Sequence, residues 1–136
     1  METLTFVCLD TSFLIDFLRG HEDARTTYLT LKGQGHRFAT TTIVAFELFR
    51  GVDKRGRQKR EEQAVYRLLA QLVVWCLDIE AAEHASRIYT DLEGSGKPIG
   101  VNDCLTAAIA LTNGCHKLVS HDMHFKTVPG LELVSY

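Results

Sequence analysis

The stretch that most constrains this chain is Leu4-Thr5-Phe6-Val7-Cys8-Leu9, an apolar run that ends on Asp10 and is followed at once by Thr11 and Ser12. It has no charge, no Gly and no Pro, and it is rich in aliphatic and aromatic side chains. Such a run, bounded by polar residues, predicts a strand buried on both faces. In open parallel sheets ligands bind beyond the carboxyl ends of the strands, which is where Asp10 falls. Two readings stand at this point: a metal-ligating carboxylate, or a cap on the helix that follows.

Four further apolar runs complete a pattern. Arg37 to Thr40, Val73 to Leu77, Lys117 to Ser120 and Leu131 to Val134 read as strands. Between them lie segments with helical periodicity. Phe13, Leu14, Phe17 and Leu18 form one stripe, stopped by Gly20; Asp16 lies opposite that stripe and is expected in solvent. A second helix is predicted from Glu22 to Leu31, and a third begins at Thr41 or Thr42 and runs to Gly51. The helix ending near Gln71 carries Val65, Leu68 and Leu69, and another spans Glu80 to Leu92. The last is expected to start at Asn102, with Asn102 as its cap and Asp103 in its first turn. Strands alternating with helices predict a three-layer α/β/α domain, its central sheet mainly parallel and of about five strands.

The chain has 136 residues, and 46% of them are hydrophobic, enough for a real core in one domain. No stretch approaches the ~20 apolar residues needed to span a bilayer. Glu2 stands where a leader peptide would be basic, so the cytoplasm is the expected compartment. Cys8, Cys76, Cys104 and Cys115 form no CxxC pair and are expected as buried reduced thiols, not zinc ligands. The net charge of −2 does not exclude a nucleic-acid partner, because local clustering decides that. Arg50, Lys54, Arg55, Arg57, Lys59 and Arg60 form one such cluster, open to reading as a solvated helix start or as a hold on a phosphate backbone.

Four acids stand out by position. Asp10 and Asp122 each follow a predicted buried strand, and Asp103 opens a helix. Glu47 shares a helix face with Ile43, Val44, Leu48 and Gly51, where an unpaired carboxylate is costly. An Arg50 partner one turn on would satisfy it; so would a cation. If the first and fourth strands are neighbours, Asp10 and Asp122 meet. Carboxylates gathered that closely must bind a proton or a cation. All-oxygen donors select Mg²⁺ or Mn²⁺ over zinc. That chemistry suits phosphoryl transfer to water. A Walker-type phosphate loop and a GxSxG motif are both missing from the sequence. His121-Asp122 with His124 suggests a zinc or HD-type phosphohydrolase site, but that class is helical and this dipeptide follows a strand. A receiver domain would need a second acid beside Asp10, where Thr11 stands.

These pieces together resemble the PIN-domain ribonucleases, and within them the VapC-type toxins of toxin–antitoxin pairs. The resemblance spans nearly the whole chain. It rests on Leu9-Asp10-Thr11-Ser12-Phe13-Leu14-Ile15-Asp16, on Ile43 to Gly51 around Glu47, on Gly96 to Asp103 with Ala107-Ala108, and on Leu118 to Asp122 with Phe125 and Val128 to Leu131. It departs mildly at Ser120, where Thr is usual, and at His121. The resemblance implies a single PIN domain over residues 1–136 that cuts RNA with Mg²⁺ or Mn²⁺. It implies Asp10 and Asp103 as direct metal ligands, Glu47 and Asp122 as completing the acidic cluster, and Thr11 and Ser120 as hydroxyls orienting ligands or water. It also implies a homodimer and an inhibitory VapB-like antitoxin. A PIN-like RNA-binding scaffold is the alternative, and it would usually have lost one of the acids.

Overall fold

The computed structural model describes residues 5–136. Glu2 and Leu4 lie outside the described residues. The strands are β1 (Phe6–Leu9), β2 (Arg37–Thr41), β3 (Val73–Trp75), β4 (Lys117–Val119) and β5 (Glu132–Val134). The helices are α1 (Thr11–Leu18), α2 (Glu22–Gly33), α3 (Thr42–Lys54), α4 (Lys59–Ala70), α5 (Ile79–Gly94) and α6 (Val101–Thr112), with a 3₁₀ helix over Met123–Thr127. The five strands form one sheet in the order β3-β2-β1-β4-β5. Every neighbouring pair is parallel. No described helix is long and apolar enough to cross a membrane.

β1 lies at the centre, and its alternation decides the layers. Val7 and Leu9 pack with Phe13, Leu14, Val44, Leu48 and Val65 from α1, α3 and α4. Cys8 points the other way, into a core of Ala85, Ile88, Cys104, Ala107 and Phe125 from α5, α6 and the 3₁₀ helix. Side chains alternate across a strand, so one β-strand serves two apolar layers. Buried Thr40 on β2 donates its hydroxyl to the Leu9 carbonyl at 2.7 Å, fixing β1 just before Asp10. Gly20 ends α1 with φ +74, a conformation that favours glycine.

Three expectations are corrected. β3 stops at Trp75, and Cys76 and Leu77 are exposed. β3 is an edge strand paired only with β2, which ends opposite Trp75 at Thr41, so nothing extends the ladder. Cys76 is therefore a free surface thiol, whereas Cys8, Cys104 and Cys115 are buried and free. The last long helix begins at Val101 with Gly100 at its N-cap, so Asn102 lies inside it. Asp16 is not a solvent residue: it accepts a hydrogen bond from the Tyr136 hydroxyl at 2.7 Å and lies 3.2 Å from His121 Nε2.

Candidate active site

The parallel pairing of β1 with β4 brings their carboxyl ends together. Asp10 continues β1, and its backbone N–H reaches the Val119 carbonyl at 3.1 Å. Its side chain is 5% exposed. Asp10 occupies the N-cap position of α1, yet its carboxylate makes no capping hydrogen bond. It instead accepts one from Ser120 Oγ at 2.7 Å, across a sequence separation of 110. The helix-cap reading of Asp10 therefore fails on geometry.

Ser120 is fully buried and spends its whole bonding capacity. Its hydroxyl donates to Asp10, its oxygen accepts the Asp122 N–H at 3.0 Å, and Ser12 Oγ lies 3.2 Å away. A serine has one donor and two lone pairs, so Ser12 must be the donor in the last contact. Ser12 Oγ in turn accepts the His121 N–H at 3.1 Å. Ser12 was not among the site residues expected from sequence; its only signal there was a hydroxyl two positions after Asp10.

Glu47 comes from α3, half-buried. Its partner is Thr11, whose Oγ1 donates to Glu47 Oε1 at 2.8 Å. The Arg50 pairing does not form: Arg50 is exposed, and no ion pair joins it to Glu47 among the described residues. Asp103 sits in the first turn of α6, as expected, and is half-buried. Asp122 follows β4 and caps the 3₁₀ helix by accepting the His124 N–H at 2.9 Å; His124 Nδ1 lies equally close. His121 and His124 are thus bound to carboxylates, and among the described residues neither joins a metal-binding group.

Electrostatics tie the four acids into one group. Burial above all raises the Asp10 carboxyl to about 6; the Ser120 hydrogen bond opposes this, and the Glu47 and Asp122 charges add to it. Asp103 rises to about 7, by burial first and then by the charges of Asp10, Asp122 and Glu47 and a hydrogen bond to the Asp122 carboxyl. The charges of Glu47 and Asp122 thus make both Asp10 and Asp103 harder to ionise. A carboxyl–carboxylate hydrogen bond also requires a proton on one partner. Among the described residues, no three His, Cys, Asp or Glu side chains stand as a finished metal cage. The donor set nonetheless fits a hard divalent cation: oxygen alone, negative, and held together against its own repulsion.

The fold and this acidic centre define a class, and comparison with known proteins gives it a name. The PIN domain family matches residues 7–131, and the chain belongs to that family. Its relatives are VapC ribonucleases. Ribonuclease VapC19 of Mycobacterium tuberculosis is 30% identical over 91% of this chain and 95% of its own. Ribonuclease VapC2 of Rickettsia felis is 26% identical over 94% of this chain and 96% of its own. The crystal structure of VapBC2 from Rickettsia felis, bound to a DNA fragment from its promoter, superposes with a TM-score of 0.85 at 26% identity, covering 97% of this chain and 99% of that one.

Proposed function

We propose that the chain is a metal-dependent endoribonuclease and the toxin of a toxin–antitoxin pair. The observation that carries the reading is the gathering of Asp10, Asp122, Asp103 and Glu47 at the carboxyl ends of β1 and β4, where Ser120 and Thr11 hold the carboxylates and burial above all raises Asp10 and Asp103 to about 6 and about 7. Asp10, Asp103, Glu47 and Asp122 would hold Mg²⁺ or Mn²⁺, with Asp10 and Asp103 as the direct ligands. A cation bound there would supply Lewis-acid polarisation of a phosphoryl oxygen and a bound water of lowered pKa. The protein's own part is positioning. Ser120 fixes the Asp10 carboxylate and the Asp122 backbone together, and Thr11 fixes Glu47. The substrate is RNA, and the chain acts as one PIN domain in a cytoplasmic homodimer, restrained by a VapB-like antitoxin. Support for the partner comes from the relatives, whose solved complexes are VapBC pairs.

The test is cleavage of a mixed RNA pool with Mg²⁺ or Mn²⁺, with and without EDTA, by the protein and by Asp10→Asn and Asp103→Asn. Metal-dependent cleavage lost in both variants is the expected result. Cleavage that persists in the variants sinks the site assignment, and no cleavage of any RNA sinks the activity.

A further inference from the structure

One cavity of the molecule lies away from the acids' own side chains. It is an open groove of about 570 Å³ between the C-terminal half of α5, the loop that follows it and the 3₁₀ helix. Arg87, Lys97 and Lys126 line it, with His84 beside them and Asp91 as the one acid. Lys97 and Lys126 are exposed and make no ion pair among the described residues. Arg87 pairs only with Glu83, its neighbour one helical turn back, and both side chains are largely in solvent. Exposed pairs of that kind hold little energy and yield to a stronger anion.

The groove is joined to the acidic centre through two short pieces of chain. Lys126 stands four residues beyond Asp122 on the same 3₁₀ helix, about 8 Å along its axis at the usual rise. Lys97 lies in the loop that leads into α6, whose first turn carries Asp103. A polyanion reacting at the carboxylates therefore meets repulsion at the centre and finds cations on this flank, as it does at Arg19 and Arg55 in a second groove that Glu47 itself lines.

We infer that this groove binds the phosphate backbone of the RNA substrate beside the scissile bond, with Lys97 and Lys126 as the phosphate contacts and Arg87 as a third cation released from Glu83. The inference rests on the ribonuclease reading and extends it to where the strand runs. It also separates this flank from the Arg50 to Arg60 run, the more obvious basic cluster in the sequence. There Arg55 is held by Glu61 at 2.8 Å in a more sheltered pair, so that part of the charge is already engaged.

The experiment measures binding of a fluorescent single-stranded RNA by anisotropy across a salt series, using the full chain and its Lys97→Ala/Lys126→Ala double variant. A Lys54→Ala/Arg60→Ala variant removes the same charge from the basic run. For two lost phosphate contacts, the slope of log affinity against log salt falls by about 1.4, and affinity near physiological salt falls about tenfold. KM for RNA cleavage rises by a similar factor while kcat stays within twofold. The Lys54/Arg60 control shows a smaller change in both slope and KM. Equal losses in the two double variants mean unspecific attraction and overturn the inference. So does an unchanged salt slope, or a loss confined to binding of a protein partner. Binding is read without cleavage, so an inactive wild type removes the nuclease reading without deciding the groove.

Discussion

The two halves of the acidic centre are built differently. Asp10 and Asp122 sit on strand ends, and the Ser120 hydroxyl braces them from within the core. Asp103 sits on the first turn of a helix, with Gly100 at the cap and no protein donor among the influences on its carboxyl. Asp10 is the more deeply buried of the two, yet Asp103 is raised further, to about 7 against about 6. The difference is hydrogen-bond donation, from the Ser120 hydroxyl and the Thr11 backbone. Ser120 supports the charged form of Asp10, whereas Asp103 faces three other acids and a carboxyl partner. The strand-borne half is organised before any cation arrives; the helix-borne half is where a proton, or a cation in its place, relieves the group.

The largest test of that contrast is loss of either proposed ligand. Asp10→Asn and Asp103→Asn are each expected to cut the single-turnover RNA cleavage rate by roughly 10²–10⁴-fold, the scale of the several kcal/mol that a positioned cation supplies. The two should differ in metal-free thermal melts. Asp103→Asn removes repulsion and raises the melting temperature at pH 8, whereas Asp10→Asn disturbs a buried hydrogen bond and does not. Equal behaviour of the two in melts would erase the distinction between the halves.

Ser120→Ala attacks the brace alone. It strips Asp10 of its side-chain donor, leaving the Thr11 backbone N–H, and leaves the Asp122 N–H without its acceptor. Partners behind metal ligands typically contribute 10–100-fold to metal affinity or activity, and a loss of that order is expected in Mg²⁺ titrations of the cleavage rate. Ser120→Thr keeps the hydroxyl and should restore most of it. If alanine and threonine behave alike, the hydroxyl has no positioning role.

The paired elevations also give a pH dependence with a definite sign. Both carboxyls have folded values, about 6 and about 7, above the ordinary 3.8. The folded state therefore holds protons that the unfolded chain has released, and stability from these groups is full below 3.8 and lost as pH rises through 6 to 7. In EDTA the melting temperature should fall between pH 5 and pH 8, and Mg²⁺ should restore more of it at pH 8 than at pH 5. A shift of a few degrees is expected, since about 1 kcal/mol moves the midpoint of domains of this size by roughly 2–8 °C. Asp103→Asn should flatten the slope more than Glu47→Gln. A melting temperature that climbs from pH 5 to pH 8 in EDTA would contradict the raised values.

Much of this was legible in the sequence, and the failures share a cause. β1 was readable because it is buried on both faces and needs no partner's identity to look apolar. Glu47 stood out because the residues around it predict an apolar face, and Asp103 because it opens a helix. What could not be read depends on pairing. Where β3 ends is set by where β2 stops, and Cys76 and Leu77 look no less apolar for lying beyond it. Glu47 had a visible partner one turn along its own helix, but the hydroxyl that binds it is 36 residues away. Asp16 looked solvated because Tyr136, 120 residues on, is invisible to helical periodicity. The groove of Lys97 and Lys126 went unseen for the same reason, since its cations come from separate segments.

The smallest expected effect lies at the outer edge of the strand-borne half. Tyr136 donates to Asp16, stacks on His121 with ring centroids 3.9 Å apart, and meets Phe13 edge-on at 5.2 Å. His121 precedes Asp122 and ties its own backbone to Ser12. Tyr136 thus holds the outer side of the loop whose inner side Ser120 holds. Tyr136→Phe removes only the hydroxyl, so the stack and the edge contact stay. The lost hydrogen bond costs about 0.5–1.5 kcal/mol of stability, read by urea unfolding. The Ser120 brace is intact in that variant, so kcat should fall no more than a few fold and KM for RNA should not move. A loss matching that of Ser120→Ala would mean that the Asp122 loop is positioned from outside the core, and that the strand-borne half is less rigid than its inner hydrogen bonds imply.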